Sequence, residues 1–302
     1  MRHKRVMKMS TREAINGYLF FSPGLIGLIV FMAGPILYSL YLSFTNYNIY
    51  QAPRWIGLAN YRIMLTEDPL FWKSMLNTLY YVALSVPLNT VAGVLLAVLM
   101  NQSVRGIRLF RTLYFLPSVV SGVAVALLWQ WVLDPNFGLI NTFLARFGIE
   151  GPGWLTDEHW SKFSLVLMNL WAVGGSMIIY LAGLQGVPRS LYEAATVDGA
   201  GMLRKFVSIT IPMLTPTIFF NVIMGVLSGF QVFLQAYIMT GGGPNNSTMF
   251  FAYYLYNKAF KDMQFGYASA MAWVLLFITL ACTLIILRSG SRWVYYEGEN
   301  PN

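Results

Sequence analysis

Leu76-Asn-Thr-Leu-Tyr-Tyr-Val-Ala-Leu-Ser-Val-Pro-Leu-Asn-Thr-Val-Ala-Gly-Val-Leu-Leu-Ala-Val-Leu-Met100 carries no charged side chain along its whole length. A helix needs about 20 mostly apolar residues to cross ~30 Å of hydrocarbon, and this run meets that length. Similar blocks recur along the chain, giving six spans at about Tyr18–Phe44, Leu76–Met100, Thr112–Leu133, Phe163–Gln185, Leu214–Ile238 and Tyr267–Leu287. The 302 residues are 57% hydrophobic and 11% charged, against roughly a quarter charged in soluble domains. The fold class is therefore an all-α integral membrane protein with six transmembrane helices. Pro23, Pro35, Pro87 and Pro117 fall in or near spans and predict kinks there.

The positive charge sits between the apolar blocks. One set of segments carries Arg2, Lys4, Arg5, Lys8, Arg12, Arg105, Arg108, Arg111, Arg189, Arg204, Lys205, Arg288 and Arg292. The opposite set carries Arg54, Arg62, Lys73, Arg146, Lys162, Lys258 and Lys261. Basic residues stay in the cytoplasm, so both termini are expected there, with residues 1–17 and 289–302 as short ends flanking a membrane domain over 18–288. A net charge of +8 placed this way serves topology, and no nucleic-acid partner is expected. The run from Tyr18 is too long for a signal-peptide core and reads as an uncleaved first span.

Several chemistries lack their residues. Cys282 is the one cysteine, and His3 and His159 lie far apart, so neither a disulfide framework nor a metal centre is expected. No ionisable residue lies mid-span, which argues against an ion-driven secondary transporter or channel. Gly241-Gly-Gly-Pro-Asn-Asn246 has no lysine, so it reads as a turn and not as an ATP-binding loop. An intramembrane enzyme would need a nucleophile, base or metal cluster near the spans, and none is present.

Between spans four and five, residues 186–213 have their own helical logic. Ser190 followed by Glu193 is a capping-box pattern, predicting a short helix from Leu191 with Leu191, Ala194 and Ala195 on one face. Asp198-Gly199 and Gly201 predict a bend, and a second short helix follows over about Met202–Phe206.

The longer pattern is Glu193-Ala194-Ala195, three residues, Gly199, nine residues, Ile209, one residue, Ile211-Pro212. It resembles the signature loop of ABC import permeases, E-A-A-x3-G-x9-I-x-L-P, with Ile211 where the pattern has leucine. The resemblance extends over about Phe20 to Tyr296, to the maltose and multiple-sugar branch. It includes Arg111-Thr-Leu-Tyr-Phe-Leu-Pro117, Gly138-Leu-Ile-Asn141, Leu184-Gln-Gly-Val-Pro188, Thr240-Gly-Gly-Gly-Pro244, Gly266-Tyr-Ala-Ser-Ala270 and Arg292-Trp-Val-Tyr-Tyr-Glu297. It implies a type I importer permease in the inner membrane of a bacterium or archaeon, paired with a second homologous permease. It also implies two ATPase subunits, which bind the ATP and Mg, and an extracytoplasmic solute-binding protein that delivers a sugar or oligosaccharide. In such a complex Ser190, Glu193, Ala194, Ala195, Asp198 and Gly199 would form the coupling element.

A sugar path needs hydroxyl and amide partners beside aromatic surface. At 100° per residue, Asn221, Ser228, Gln231 and Gln235 share one face of span five, with Phe230 and Phe233 near it. Asn169, Ser176 and Tyr180 fall on one side of span four, beside Gly174 and Gly175. By resemblance, Asn169, Ser176, Ser228 and Gly229 match sugar-contacting positions of the maltose branch. The same residue types also make interhelical hydrogen bonds, and the sequence leaves both readings open. A phosphorylated polyol such as glycerol-3-phosphate would want basic residues in the path and a polyamine acidic ones; the spans show neither. Trp72, Trp129 and Trp131 read as interface belt.

Overall fold

The computed structural model describes residues 9–295, with side chains from Glu13 onward. Arg2, His3, Lys4, Arg5, Lys8 and the Tyr296-Glu297 end of the C-terminal motif lie outside the described residues, as does the side chain of Arg12. Two compact units form, Met1–Met64 with Lys258–Trp273 and Leu65–Asn257 with Val274–Asn302.

In the first unit, α1 (Met9–Leu28) passes through a wide π-helical turn, Ile29–Ala33, into α2 (Gly34–Ser43). Its apolar side chains point outward, Phe20 being 89% and Phe31 79% exposed, the arrangement of a helix solvated by lipid. Beyond α2 the chain doubles back through isolated bridges into α3 (Ala59–Thr66). The Asn60 amide donates to the Ser43 and Thr45 carbonyls, both at 2.8 Å, and so closes the buried end of α2. A Cβ on Gly266 would stand 2.1 Å from the Thr45 oxygen, which accounts for the glycine opening that motif.

The second unit is built around α4 (Pro69–Met100). The Asp68 carboxylate accepts from the Leu70 and Phe71 N–H groups at 3.0 and 3.1 Å, and Pro69 sits where a helix needs no donor. At the other end, Arg111 donates to the Met100 carbonyl, so this motif arginine serves as a C-terminal cap. Then come α5 (Ile107–Val119), α6 (Gly122–Val132), α7 (Leu139–Ala145), α8 (Glu158–Trp171) and α9 (Gly174–Gln185). They are followed by α10 (Arg189–Val197), α11 (Met202–Lys205), α12 (Ile211–Phe230), α13 (Leu234–Met239) and α14 (Phe251–Tyr256). The final helix, α15 (Phe265–Trp293), contributes its later part to this unit. Motif residue Asn141 ties the α7 loop together, accepting from the Trp154 indole at 2.7 Å and donating to the Pro135 and Pro152 carbonyls.

Four helical stretches are long and apolar enough to span a membrane, and two bent pairs reach that length when each is taken together. Spans three and four differ from the continuous helices expected. The third breaks at Val120–Ser121, both extended, with a 99° bend between α5 and α6, so the break lies beyond Pro117 and not at it. The fourth bends by 49° at Ala172–Val173, just before Gly174 and Gly175. Span five also breaks, after Phe230. Pro35 and Pro212 go with wide turns in place of sharp kinks, since each stands two residues past a π-helical turn, Ile29–Ala33 or Phe206–Thr210. The ring of a proline clashes with the carbonyl four residues back, and a wider turn moves that carbonyl aside.

Small residues let the helices of this unit approach. A Cβ on Gly229 of α12 would lie 2.9 Å from Val82 of α4, and one on Gly183 of α9 would lie 2.7 Å from the Thr217 hydroxyl. The glycine-rich turn after α13 is bound rather than loose. The Asn77 amide donates to the Asn246 and Met249 carbonyls at 2.8 and 3.1 Å, and the Ser161 and Ser247 hydroxyls pair at 2.8 Å. Lys73 lies 3.5 Å from Glu158, and the Asn245 amide donates to the same carboxylate at 3.2 Å.

Candidate functional site: a polar cavity and a helical hairpin

Inside the second unit lies a cavity of about 660 Å³. All seven residues read as a sugar path, Asn169, Ser176, Tyr180, Ser228, Gly229, Gln231 and Gln235, line it, together with Asn221. The route by which they meet differs from the one expected. Gln231 caps the end of α12, the chain runs unwound to Phe233, and Gln235 lies on the separate α13, so no single helix face carries the set. Residues 231–233 and Ala172, where α8 stops, both border the cavity. Broken helices at membrane depth are tolerated where the irregular backbone faces a cavity, and here two such breaks face the same one.

The wall from α4 went unread in the sequence. Tyr81, Ser85, Asn89 and Thr90 complete the lining. Their signal was available: Tyr81, Ser85 and Asn89 repeat at every fourth residue within an otherwise apolar span. Asn89 donates to the Ser85 carbonyl at 3.2 Å and to the Asn169 side-chain oxygen, linking α4 to α8. The Ser176 and Ser228 hydroxyls donate to carbonyls three residues back, at 2.9 and 3.1 Å, and the Asn221 amide to the Thr217 carbonyl at 2.9 Å. Each serine keeps its lone pairs for an incoming donor. No Asp, Glu, Lys, Arg or His is among the lining residues.

Of the aromatic candidates, Phe233 lines the cavity, whereas Phe230 is 1% exposed and packs with Val82, Val86 and Val226. Trp129 is not a simple belt residue. Its indole N–H is buried without a partner and its ring meets Trp171 edge-on at 6.2 Å. Trp72 and Trp131 are about half exposed, as a belt requires.

The loop after α9 forms a hairpin, with one correction to its start. The capping box expected of Ser190 and Glu193 does not form: α10 begins at Arg189 with Pro188 as its N-cap and no side-chain cap bond. Pro188, held extended, brings the chain into the helix early. Ser190 already sits inside the first turn and cannot reach back over it. The end of α10 follows the expectation closely. Gly199 has φ +73°, its N–H bonds to the Thr196 carbonyl at 3.1 Å, and the Ala200 N–H bonds to the Ala195 carbonyl at 2.8 Å. These are the two hydrogen bonds of a Schellman cap, with glycine at the position that needs a left-handed residue. Asp198 is the C-cap. The second helix does not end near Phe206 but continues through the π-helical turn, so Met202–Phe230 is one stretch.

Two side-chain bonds clip the hairpin shut. Lys205 donates to the Thr196 hydroxyl at 2.8 Å, and the Tyr192 and Thr210 hydroxyls pair at 3.0 Å. On the outside the hairpin presents apolar groups, Val197 at 88%, Met202 at 85% and Leu203 at 76% exposure, beside the exposed Ala194.

A helical membrane unit with broken helices around a polar cavity defines a transport permease, and comparison with known proteins gives the family. The chain belongs to the family of binding-protein-dependent transport system inner membrane components, which matches over residues 89–291. It is thus a multi-pass membrane component of an ABC-type import system. It is 42% identical to the probable ABC transporter permease protein YesP of Bacillus subtilis (strain 168), over 95% of this chain and 94% of the relative. It is 38% identical to the lactose transport system permease protein LacF of Rhizobium radiobacter, over 90% of this chain and 92% of that one. In fold it is similar to a chain of a bacterial alginate ABC transporter solved with an alginate pentasaccharide-bound periplasmic protein. The TM-score is 0.82 at 23% identity, covering 96% of this chain and 98% of that one.

Proposed function

We propose that this chain is the permease half of an ATP-driven importer for a sugar or oligosaccharide. One observation carries the reading: a 660 Å³ cavity lined by hydroxyl and amide side chains and by two helix breaks. Such groups suit a polyhydroxylated solute, since each ring hydroxyl both donates and accepts. The lactose-system relative supports the same substrate class. Asn169, Ser176, Tyr180, Ser228, Gly229, Gln231 and Gln235 form this chain's side of the path, with Asn89 and Ser85 added from α4. A second permease completes it. An external binding protein supplies the sugar.

ATP is hydrolysed on two separate ATPase subunits, which hold the nucleotide and Mg. The α10 hairpin is the element that meets them, through Val197, Met202 and Leu203 and the small side chains of Ala194 and Ala195. It lies in the cytoplasm together with both termini, a placement that the distribution of basic residues supports.

The test is uptake by the complete complex in proteoliposomes, with labelled lactose and maltose as probes, combined with impermeant thiol labelling in a Cys282→Ser background. Uptake is expected only with ATP and the binding protein. A Cys at Ser190 should react from the cytoplasmic side and one at Asn245 from the periplasmic side. Uptake driven by an ion gradient without ATP, or reversed labelling, would sink the reading.

A further inference from the structure

Aromatic surface continues past the rim of the cavity. Of the three aromatic residues in its lining, Tyr81 and Tyr180 are buried, which leaves Phe233 with ring surface to offer. Phe233 stands where the chain unwinds before α13. One turn on, along the same face, Tyr237 stacks against it, with ring centroids 5.4 Å apart and planes 19° from parallel. Tyr253 and Tyr256 of α14 back the pair edge-on or tilted, with centroids 5.0 to 5.7 Å from those of Phe233 and Tyr237. Tyr253 is buried beneath, whereas Tyr237 is 43% exposed.

The four rings form a firm shelf. A Cβ on Gly242 would stand 2.5 Å from Met249 and 3.2 Å from the Tyr253 ring, so the turn between α13 and α14 closes tightly onto the cluster. The Thr240 and Thr248 hydroxyls pair across that turn at 2.6 Å, and the Phe251 N–H donates to the Thr78 hydroxyl of α4 at 2.8 Å. The shelf therefore sits toward the Pro69 end of α4. Hairpin residues Tyr192 and Lys205 share a hollow with Val98 and Asn101 at the other end, so the shelf and the hairpin lie on opposite sides of the cavity.

Hydroxyl and amide groups in the cavity suit the rim of a pyranose ring, but such a ring also has a flat C–H face that water solvates poorly and an aromatic face covers well. We propose that Phe233 and Tyr237 form a stacking subsite at the mouth of the cavity, on which one sugar ring rests its C–H face while the cavity bonds the hydroxyls of the neighbouring ring. This rests on the sugar-path reading above and adds a subsite to it. Stacking asks only for a flat face, so Tyr237 holds sugars regardless of their hydroxyl pattern, which Asn169 and Gln235 read instead. An exposed tyrosine also serves as an interface belt. The two roles part on shape, since a belt tolerates a large apolar side chain of any form and a stacking face must be planar.

The complete transporter in proteoliposomes, with saturating loaded binding protein and labelled lactose and maltose as probes, gives the test. Tyr237→Ala and Tyr237→Leu should lower sugar imported per ATP hydrolysed by about threefold to tenfold, the worth of one aromatic contact. Tyr237→Phe and Tyr237→Trp keep a planar face and should restore it. Import by Tyr237→Leu equal to wild type would make the residue a belt or packing group and overturn the subsite, as would wild-type import by Tyr237→Ala. Should the Ala and Leu variants fail to assemble, Tyr237→Trp decides alone. Loaded binding protein should change its tryptophan emission beyond the change seen in the wild-type complex, and unloaded binding protein should not. No added change overturns the subsite while leaving the sugar path standing. No uptake of either probe by the wild-type complex overturns the sugar path, and the subsite with it.

Discussion

The cavity and the α10 hairpin invert each other's chemistry. In the cavity, polar side chains lie inside a helical bundle where apolar ones would pack more cheaply. Asn89, Asn169, Ser85 and Tyr180 are all there. On the hairpin, apolar side chains lie outside, with Val197, Met202 and Leu203 each more than three-quarters exposed. Neither choice improves the stability of this chain alone. Each suits a surface completed by something else, a hydroxylated solute in one case and a protein partner in the other. The backbones differ in the same sense: broken helices border the cavity, while the hairpin is capped by backbone bonds and clipped by side-chain ones.

The comparison breaks most sharply at Gly199. A valine there must take a left-handed conformation, which costs about 1–3 kcal/mol, a large fraction of what holds one short capped helix. Gly199→Val should insert and fold, yet lose sugar-stimulated ATP hydrolysis or its association with the ATPase subunits. Co-purification followed by an ATPase assay in proteoliposomes checks this. Full stimulation in an assembled complex would remove the hairpin from the transmission path.

A smaller effect is expected in the cavity. Asn169→Ala, Gln231→Ala and Gln235→Ala each remove one polar group from a lining that has many, and uptake should fall by about tenfold or less for each. ATP hydrolysis without sugar should be unchanged. If all three variants import normally with unchanged assembly, the polar lining is ordinary helix packing and the contrast with the hairpin loses one side.

The smallest effect sharpens the picture. Ser190 makes no capping bond, so Ser190→Ala should change stability by no more than about 0.5 kcal/mol and leave coupling intact. Thermal unfolding of the purified complex and the same ATPase assay would show it. A loss near that of Gly199→Val would mean that the box forms when the partner is bound.

Much of this was legible in the sequence because period and composition act locally. The uncharged run Leu76–Met100 formed its helix as composition required, and Gly199 announced the bend by residue type, its left-handed φ appearing only in the structure. The breaks at Val120–Ser121 and after Phe230 were not legible. Val, Ser, Gln and Phe are compatible with helix, and what unwinds them is the packing of neighbouring elements, which no local pattern encodes. The α4 wall was missed for a different reason. A polar residue at every fourth position was visible, but its meaning depended on which helices faced it. The capping box failed through competition, since Pro188 had already set the helix start.

The stretch Met202–Phe230 joins the two regions as one rod. Its 29 residues at ~1.5 Å per residue reach about 43 Å, from the exposed Met202 of the hairpin to the buried end beside Gln231. A lever of that length magnifies small rotations. Tilting it by about 5° from the hairpin end carries the other end by roughly 4 Å, farther than a hydrogen bond is long. A displacement of that size is longer than any hydrogen bond Ser228 could make at the far end, and the wide turn at Phe206–Thr210 stands near the hairpin end of the stretch.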